Sequence, residues 1–142
     1  MADAENVPLT EGLLATMRRA AQYAIELGEP FISPRALLLA LLEDPAVGFK
    51  LQRLTSAAKV RNADVEFAFS TAQDTLAFKT PDGRSMMWLS KESFEIFFQG
   101  AKRVAERYSP RELALGIAAE AVQLPGILAA IRVEPGALMD AV

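Results

Sequence analysis

The stretch Ile32-Ser33-Pro34-Arg35-Ala36-Leu37-Leu38-Leu39-Ala40-Leu41-Leu42 decides the fold, because its plan returns as Tyr108-Ser109-Pro110-Arg111-Glu112-Leu113-Ala114-Leu115-Gly116-Ile117. In each copy a serine hydroxyl can cap a helix, and proline comes next at the first helical position, where its missing N–H costs nothing. The two Ser-Pro-Arg triplets lie 76 residues apart (109 − 33). In the second copy Glu112 stands three residues after Ser109 and completes a capping box. The run after each triplet is apolar almost all the way round, as in a helix buried on every side. The chain is therefore built on two central helices.

Upstream of the first triplet, residues 1–9 read as a loose lead-in and Thr10 as a cap. Leu13, Met17, Ala20, Ala21 and Ala24 recur at helical spacing, and Gly28 is placed to close that amphipathic helix before Pro30. Downstream, Asp44-Pro45 marks a corner, and Val47, Leu51 and Leu54 give a short third helix. A fourth is expected from Ala63 to about Gln73, capped by Asn62, with Val65, Phe69 and Ala72 inward.

Residues 75–88 break the helical pattern. Leu76-Ala77-Phe78-Lys79 and Arg84-Ser85-Met86-Met87-Trp88 read as two extended runs around Thr80-Pro81-Asp82-Gly83, a hairpin or ordered linker that must lean on a helical half. Ser90 opens the second half. Phe94, Phe97, Phe98, Ala101, Val104, Ala105 and Tyr108 make an apolar stripe on a helix of about 16 residues, read as core. After the second triplet helix, a short helix over 124–131 matches the third, and Glu134-Pro135 starts an eighth. Val142 falls about two turns into it, which implies a trimmed or continuing chain.

The order of elements thus repeats. The expected fold is all-α: a single domain over 1–142 made of two pseudo-symmetric four-helix repeats, about 9–74 and 90–142, with the linker about 75–89 between them.

Composition narrows the chemistry. Fifteen Lys and Arg against eighteen Asp and Glu give a net charge of −3, so nothing favours nucleic acid or an anionic membrane. The absence of cysteine and histidine removes thiol chemistry, histidine general bases and the usual zinc ligand sets. No apolar run approaches the roughly 20 residues that span a bilayer, and the start lacks the order of a secretion signal, so a cytoplasmic protein is expected.

A tandem of four-helix units of this kind resembles the Clp amino-terminal domain, the docking module at the front of the AAA+ unfoldases of the Clp/Hsp100 group. The resemblance spans nearly all of residues 9–142 and is strongest over Leu9 to Leu54, where Leu27-Gly28 and the run from Ile32 to Leu42 are similar to the family's leucine-glycine and isoleucine-x-x-glutamate-histidine-leucine-leucine pattern. It implies an all-α fold, no cofactor, and protein or peptide partners: substrates, adaptors or unfoldase subunits. This chain has Arg35-Ala36 and Arg111-Glu112 where the family has glutamate and histidine. In the ClpC branch those glutamates help bind phosphoarginine, and arginine there would repel the guanidinium, so that specificity is not carried over. No G-x-x-x-x-G-K-[ST] phosphate loop occurs in these residues.

The candidate partner-binding residues are Arg35 and Arg111, at equivalent helix starts, and Phe78, Arg84, Met86 and Met87 in the inserted segment. The plainer reading makes each arginine a solvated first-turn residue and the apolar cluster a seat for the hairpin, with Trp88 buried and Met86 or Phe78 exposed. Glu43 and Asp44 are consecutive and do not share a helix face, which reads as a helix end rather than a catalytic pair.

The function expected is a non-catalytic protein-docking module that captures a peptide or adaptor, in the seam between repeats or along 75–88, for a Clp-type unfoldase. A stand-alone protein that sequesters such ligands is the alternative. A small carboxylate-dependent enzyme is a third, and a deep pocket holding a carboxylate pair would favour it.

Overall fold

Helix starts obey the hydroxyl caps. The Thr10 hydroxyl accepts from the Leu13 N–H at 3.1 Å, Ser33 from Ala36 at 3.2 Å and Ser90 from Ser93 at 3.2 Å. At Ser109 the Glu112 carboxylate reaches back, accepting from the Ser109 N–H at 3.2 Å and from its hydroxyl at 2.7 Å. The computed structural model describes residues 8–67 and 76–142. Its elements are α1 (Glu11–Glu26), α2 (Pro34–Leu42), α3 (Gly48–Leu51), α4 (Ala57–Arg61), β1 (Ala77–Lys79), β2 (Met86–Trp88), α5 (Lys91–Ala101), α6 (Pro110–Gln123), α7 (Ile127–Ala130) and α8 (Pro135–Ala141).

The α2 helix is buried on all sides: Ala36, Leu37, Leu38, Leu39, Ala40 and Leu41 are each at most 1% exposed. Each such leucine contributes about 2 kcal/mol of transfer free energy. The expected stripe of α1 (Leu13, Met17, Ala20, Ala21, Ala24) packs into the same core, as do Leu113, Ala114, Ile117 and Ala118 of α6. The α1 helix ends as its sequence implies. Gly28 sits at φ +70°, and the Glu29 N–H reaches back to the Ala24 carbonyl at 2.9 Å. Asp44 turns the corner into α3 by accepting from the Ala46 and Val47 N–H groups at 2.8 and 3.0 Å.

Helices α5 and α6 cross backbone to backbone. A methyl added to Gly116 would collide with the Ile96 carbonyl and stand 2.8 Å from the Gly100 nitrogen, so both helices need glycine where they meet. Beside the crossing the buried Tyr108 ring lies 4.7 Å from that of Phe97, and its hydroxyl donates to the Phe97 carbonyl at 2.7 Å.

Two isolated bridges join lead-in segments. Leu9, before α1, pairs with Tyr108, before α6, and Ile32, before α2, pairs with Leu89, before α5. The hydrogen bonds are short: Thr10 N–H to Tyr108 carbonyl 2.9 Å, Tyr108 N–H to Pro8 carbonyl 2.8 Å, Ile32 N–H to Trp88 carbonyl 2.8 Å and Ser90 N–H to Ile32 carbonyl 3.0 Å.

The structure corrects three expectations. The fourth helix runs over Ala57–Arg61, started by the Ser56 hydroxyl accepting from Lys59 N–H at 3.2 Å, and Asn62 is its C-cap rather than an N-cap. Residues 63–67 are not helical, and the rest of the expected helix, with Phe69 and Ala72, lies outside the described residues. Next, α5 is 11 residues long rather than about 16: it closes at Ala101, Phe97 and Tyr108 are fully buried, Phe94, Phe98, Ala101 and Val104 are partly buried, and Ala105 is exposed. The turn after Ala101 lets the chain double back so that Tyr108 packs on Phe97. Finally, Leu9 belongs to a bridge and is not loose, while residues 1–7 of the expected lead-in lie outside the described residues.

Candidate functional site

The inserted segment forms an antiparallel ribbon as expected, and its turn is built from its own polar side chains. The Gly83 N–H donates to the Thr80 carbonyl at 2.8 Å, with Gly83 at φ +72°. Asp82 accepts from the Thr80 hydroxyl at 2.5 Å and the Arg84 N–H at 2.9 Å, and these bonds hold its carboxyl below the usual range.

Register then sorts the side chains. Ala77 pairs with Trp88, Phe78 with Met87 and Lys79 with Met86, and directly opposed residues share a face. Phe78 and Met87 form the inner pair; the Phe78 ring lies 6.2 Å from that of buried Phe97. Met86 and Trp88 face outward, 51% and 49% exposed. The expectation of a buried Trp88 is therefore corrected. Leu89, the next residue, takes the core position at 1% exposure, and strand alternation turns Trp88 out. Arg84 is exposed at the turn. A soft thioether, an indole and the Lys79 ammonium thus share one solvent-facing patch, a combination suited to protein contact.

The two triplet arginines are engaged elsewhere. Arg35 donates to the carbonyls of Val60 at 3.1 Å and Ala63 at 2.6 Å, and its guanidinium lies 5.5 Å from the Phe67 ring centroid. Arg111 donates to the Val142 carbonyl at 3.1 Å and lies 3.4 Å from a Glu112 oxygen, with its side chain 54% exposed. Each arginine binds carbonyls at the end of the last helix of its own half, α4 or α8.

Sequence reasoning gives no role to Glu92 and Glu120, which line a recess with Pro34, Ile96, Ile117, Leu124 and Ile127. Their separation of 28 residues (120 − 92) carries no motif. Burial raises both carboxyls above the usual range, Glu120 adding to the effect at Glu92 and Glu95 to that at Glu120. The recess has about 20 Å³ of free room, enough for one water-sized group. Glu43 accepts from the Tyr23 hydroxyl at 2.6 Å and Asp44 caps its corner, so that consecutive pair has structural partners. Among the described residues no acidic cluster suits a metal ion, and no helix is long and apolar enough to cross a membrane.

The chain has the fold of a Clp amino-terminal domain. The solved N-terminal domain of the caseinolytic protease associated chaperone ClpD from Arabidopsis thaliana aligns with it at a TM-score of 0.66 and 19% identity, over 94% of this chain and 90% of that one. No family model and no curated protein matches the sequence.

Proposed function

We propose that this chain is a non-catalytic docking module that presents the outer face of its ribbon to a substrate or adaptor of a Clp-type unfoldase in the cytoplasm. The observation that carries this is the side-by-side exposure of Met86 and Trp88 on a structured ribbon. Large apolar side chains held out on a rigid element act as anchors, with Lys79 and Arg84 supplying a polar rim. The fold likeness to a chaperone-associated domain supports the choice of partner. The two bridges support a two-repeat plan: exchanging α1 with α5 and α2 with α6 turns one bridge into the other.

The test is a pull-down with residues 1–142 beside a Met86→Ala/Trp88→Ala variant of equal melting temperature. Recovery of Clp subunits, adaptors or their clients by the parent chain, lost in the variant, supports the reading. Equal recovery by both removes the ribbon as the site, and recovery of no such protein by the parent chain removes the docking function.

A further inference from the structure

The charges on the ribbon's outer face are of one sign. Register sets Lys79 directly across from Met86, and Ala77, with only a methyl, across from Trp88. Arg84 stands two residues before Met86 and is exposed at the turn. The acid of that turn is already engaged: Asp82 accepts from the Thr80 hydroxyl and the Arg84 N–H. The ion pairs among the described residues are Arg19 with Asp44 and Arg111 with Glu112, so neither Lys79 nor Arg84 is neutralised by a described acid. The pattern continues past the turn, where Pro81 walls a cleft of about 430 Å³ against Leu14, Ala15 and Arg18 of α1. Arg18 is exposed and forms no ion pair among the described residues, whereas Arg19 donates to the Thr16 hydroxyl at 3.1 Å. Glu11 also lines the cleft but lies two turns away, about 10 Å along the helix.

Three cations without acid partners thus flank two exposed apolar side chains, in a chain whose net charge is −3. That overall charge repels a long polyanion, and a single indole is no platform for a run of stacked bases. A short polypeptide segment carrying both carboxylates and apolar side chains meets both features of the face. We propose that the ribbon's partner is such an acidic segment, lying extended along the outer face with its apolar side chains on Met86 and Trp88 and its carboxylates on Lys79, Arg84 and Arg18. This rests on the ribbon reading and adds the partner's chemistry to it. Met86 and Trp88 recur along their strand at about 7 Å, as do alternate residues of an extended peptide, so anchors and acids two positions apart match the face.

The test titrates the full chain with acetyl-Leu-Ser-Leu-Ser-Glu-Ser-Glu-amide and with the reversed order, read by the emission of Trp88. Forms with glutamine or lysine in place of glutamate, and a short oligothymidylate, are run beside them. At least one order of the glutamate peptide should move the emission to shorter wavelength and bind about fivefold or more tightly than its glutamine form, through its exposed ion pairs. Raising the salt about tenfold should erase most of that difference. The Lys79→Glu/Arg84→Glu variant changes two exposed positions, should melt close to the parent chain, and should prefer the lysine peptide. A merely structural role for these residues would not reverse the preference. Equal affinity for the glutamate, glutamine and lysine forms would overturn the acidic assignment and leave the ribbon standing as a docking face. No shift with any peptide, tighter binding of the oligothymidylate, or an unreversed preference in the variant would also overturn it, while the ribbon face itself is decided by the Met86→Ala/Trp88→Ala pull-down.

Discussion

Gly100 and Gly116 meet where α5 crosses α6, and a methyl on Gly116 would stand 2.8 Å from the Gly100 nitrogen with the Ile96 carbonyl closer still. Backbone atoms cannot step aside as a flexible side chain can. Gly116→Ala should therefore cost about 1–3 kcal/mol despite the better helix propensity of alanine. Urea denaturation monitored by circular dichroism reads this directly, and a variant as stable as the parent would mean the helices can separate without loss.

The arginines of the two triplets should differ in weight. Arg35 is half-buried and ties α2 to the carbonyls of Val60 and Ala63, so Arg35→Met should cost about 2 kcal/mol. Arg111 makes its bond to Val142 from an exposed position, and Arg111→Ala should cost less than about 0.5 kcal/mol. Denaturation midpoints of the two variants check the order, and equal costs would show that burial does not set it.

Stability should respond to mild acid in an uncommon direction at the recess. Burial raises the carboxyls of Glu92 and Glu120 above their ordinary value of 4.5, so the folded state holds these protons more tightly than the unfolded state. Their contribution is present in full below pH 4.5 and is lost as pH rises through the raised folded values. Glu29, raised by burial despite the Ser33 hydroxyl that donates to it, acts with the same sign. Glu92→Gln should melt higher than the parent chain at pH 7, and the gain should shrink as pH falls toward about 4.5. A gain that stays constant with pH would assign it to packing instead of charge.

Trp88 is the only tryptophan, which makes the ribbon face its own optical probe. Its half-exposed indole should emit at long wavelength and shift to shorter wavelength when a partner covers it. A partner that binds without moving the emission would sit elsewhere. Met86→Ala should change stability by less than about 0.5 kcal/mol while weakening partner binding. A large drop in stability would instead make Met86 part of the packing.

Local chemistry is the legible part of this chain. Thr10, Ser33, Ser90 and Ser109 start helices because a cap needs only atoms three or four residues away, and α2 is buried all round because its sequence offers no polar face. Expectation and structure part at α4 and at the ribbon, where two local signals compete. The Ser56 cap starts α4 ahead of the apolar spacing beyond Asn62, and Leu89 occupies the core slot expected for Trp88. The glycine crossing and the Glu92–Glu120 recess are set by packing between α5 and α6, and no local pattern announces either one.

The two bridges lace the halves together at their entrances, since each joins the segment before a first-half helix to the segment before a second-half helix. Neither half closes its own backbone bonding without the other. Pulling the chain from its ends would load the Leu9–Tyr108 stitch before that at Ile32–Leu89, and heating would melt both halves in a single transition. A chain severed in the ribbon turn would have to bring both pieces together before either one could hold its shape.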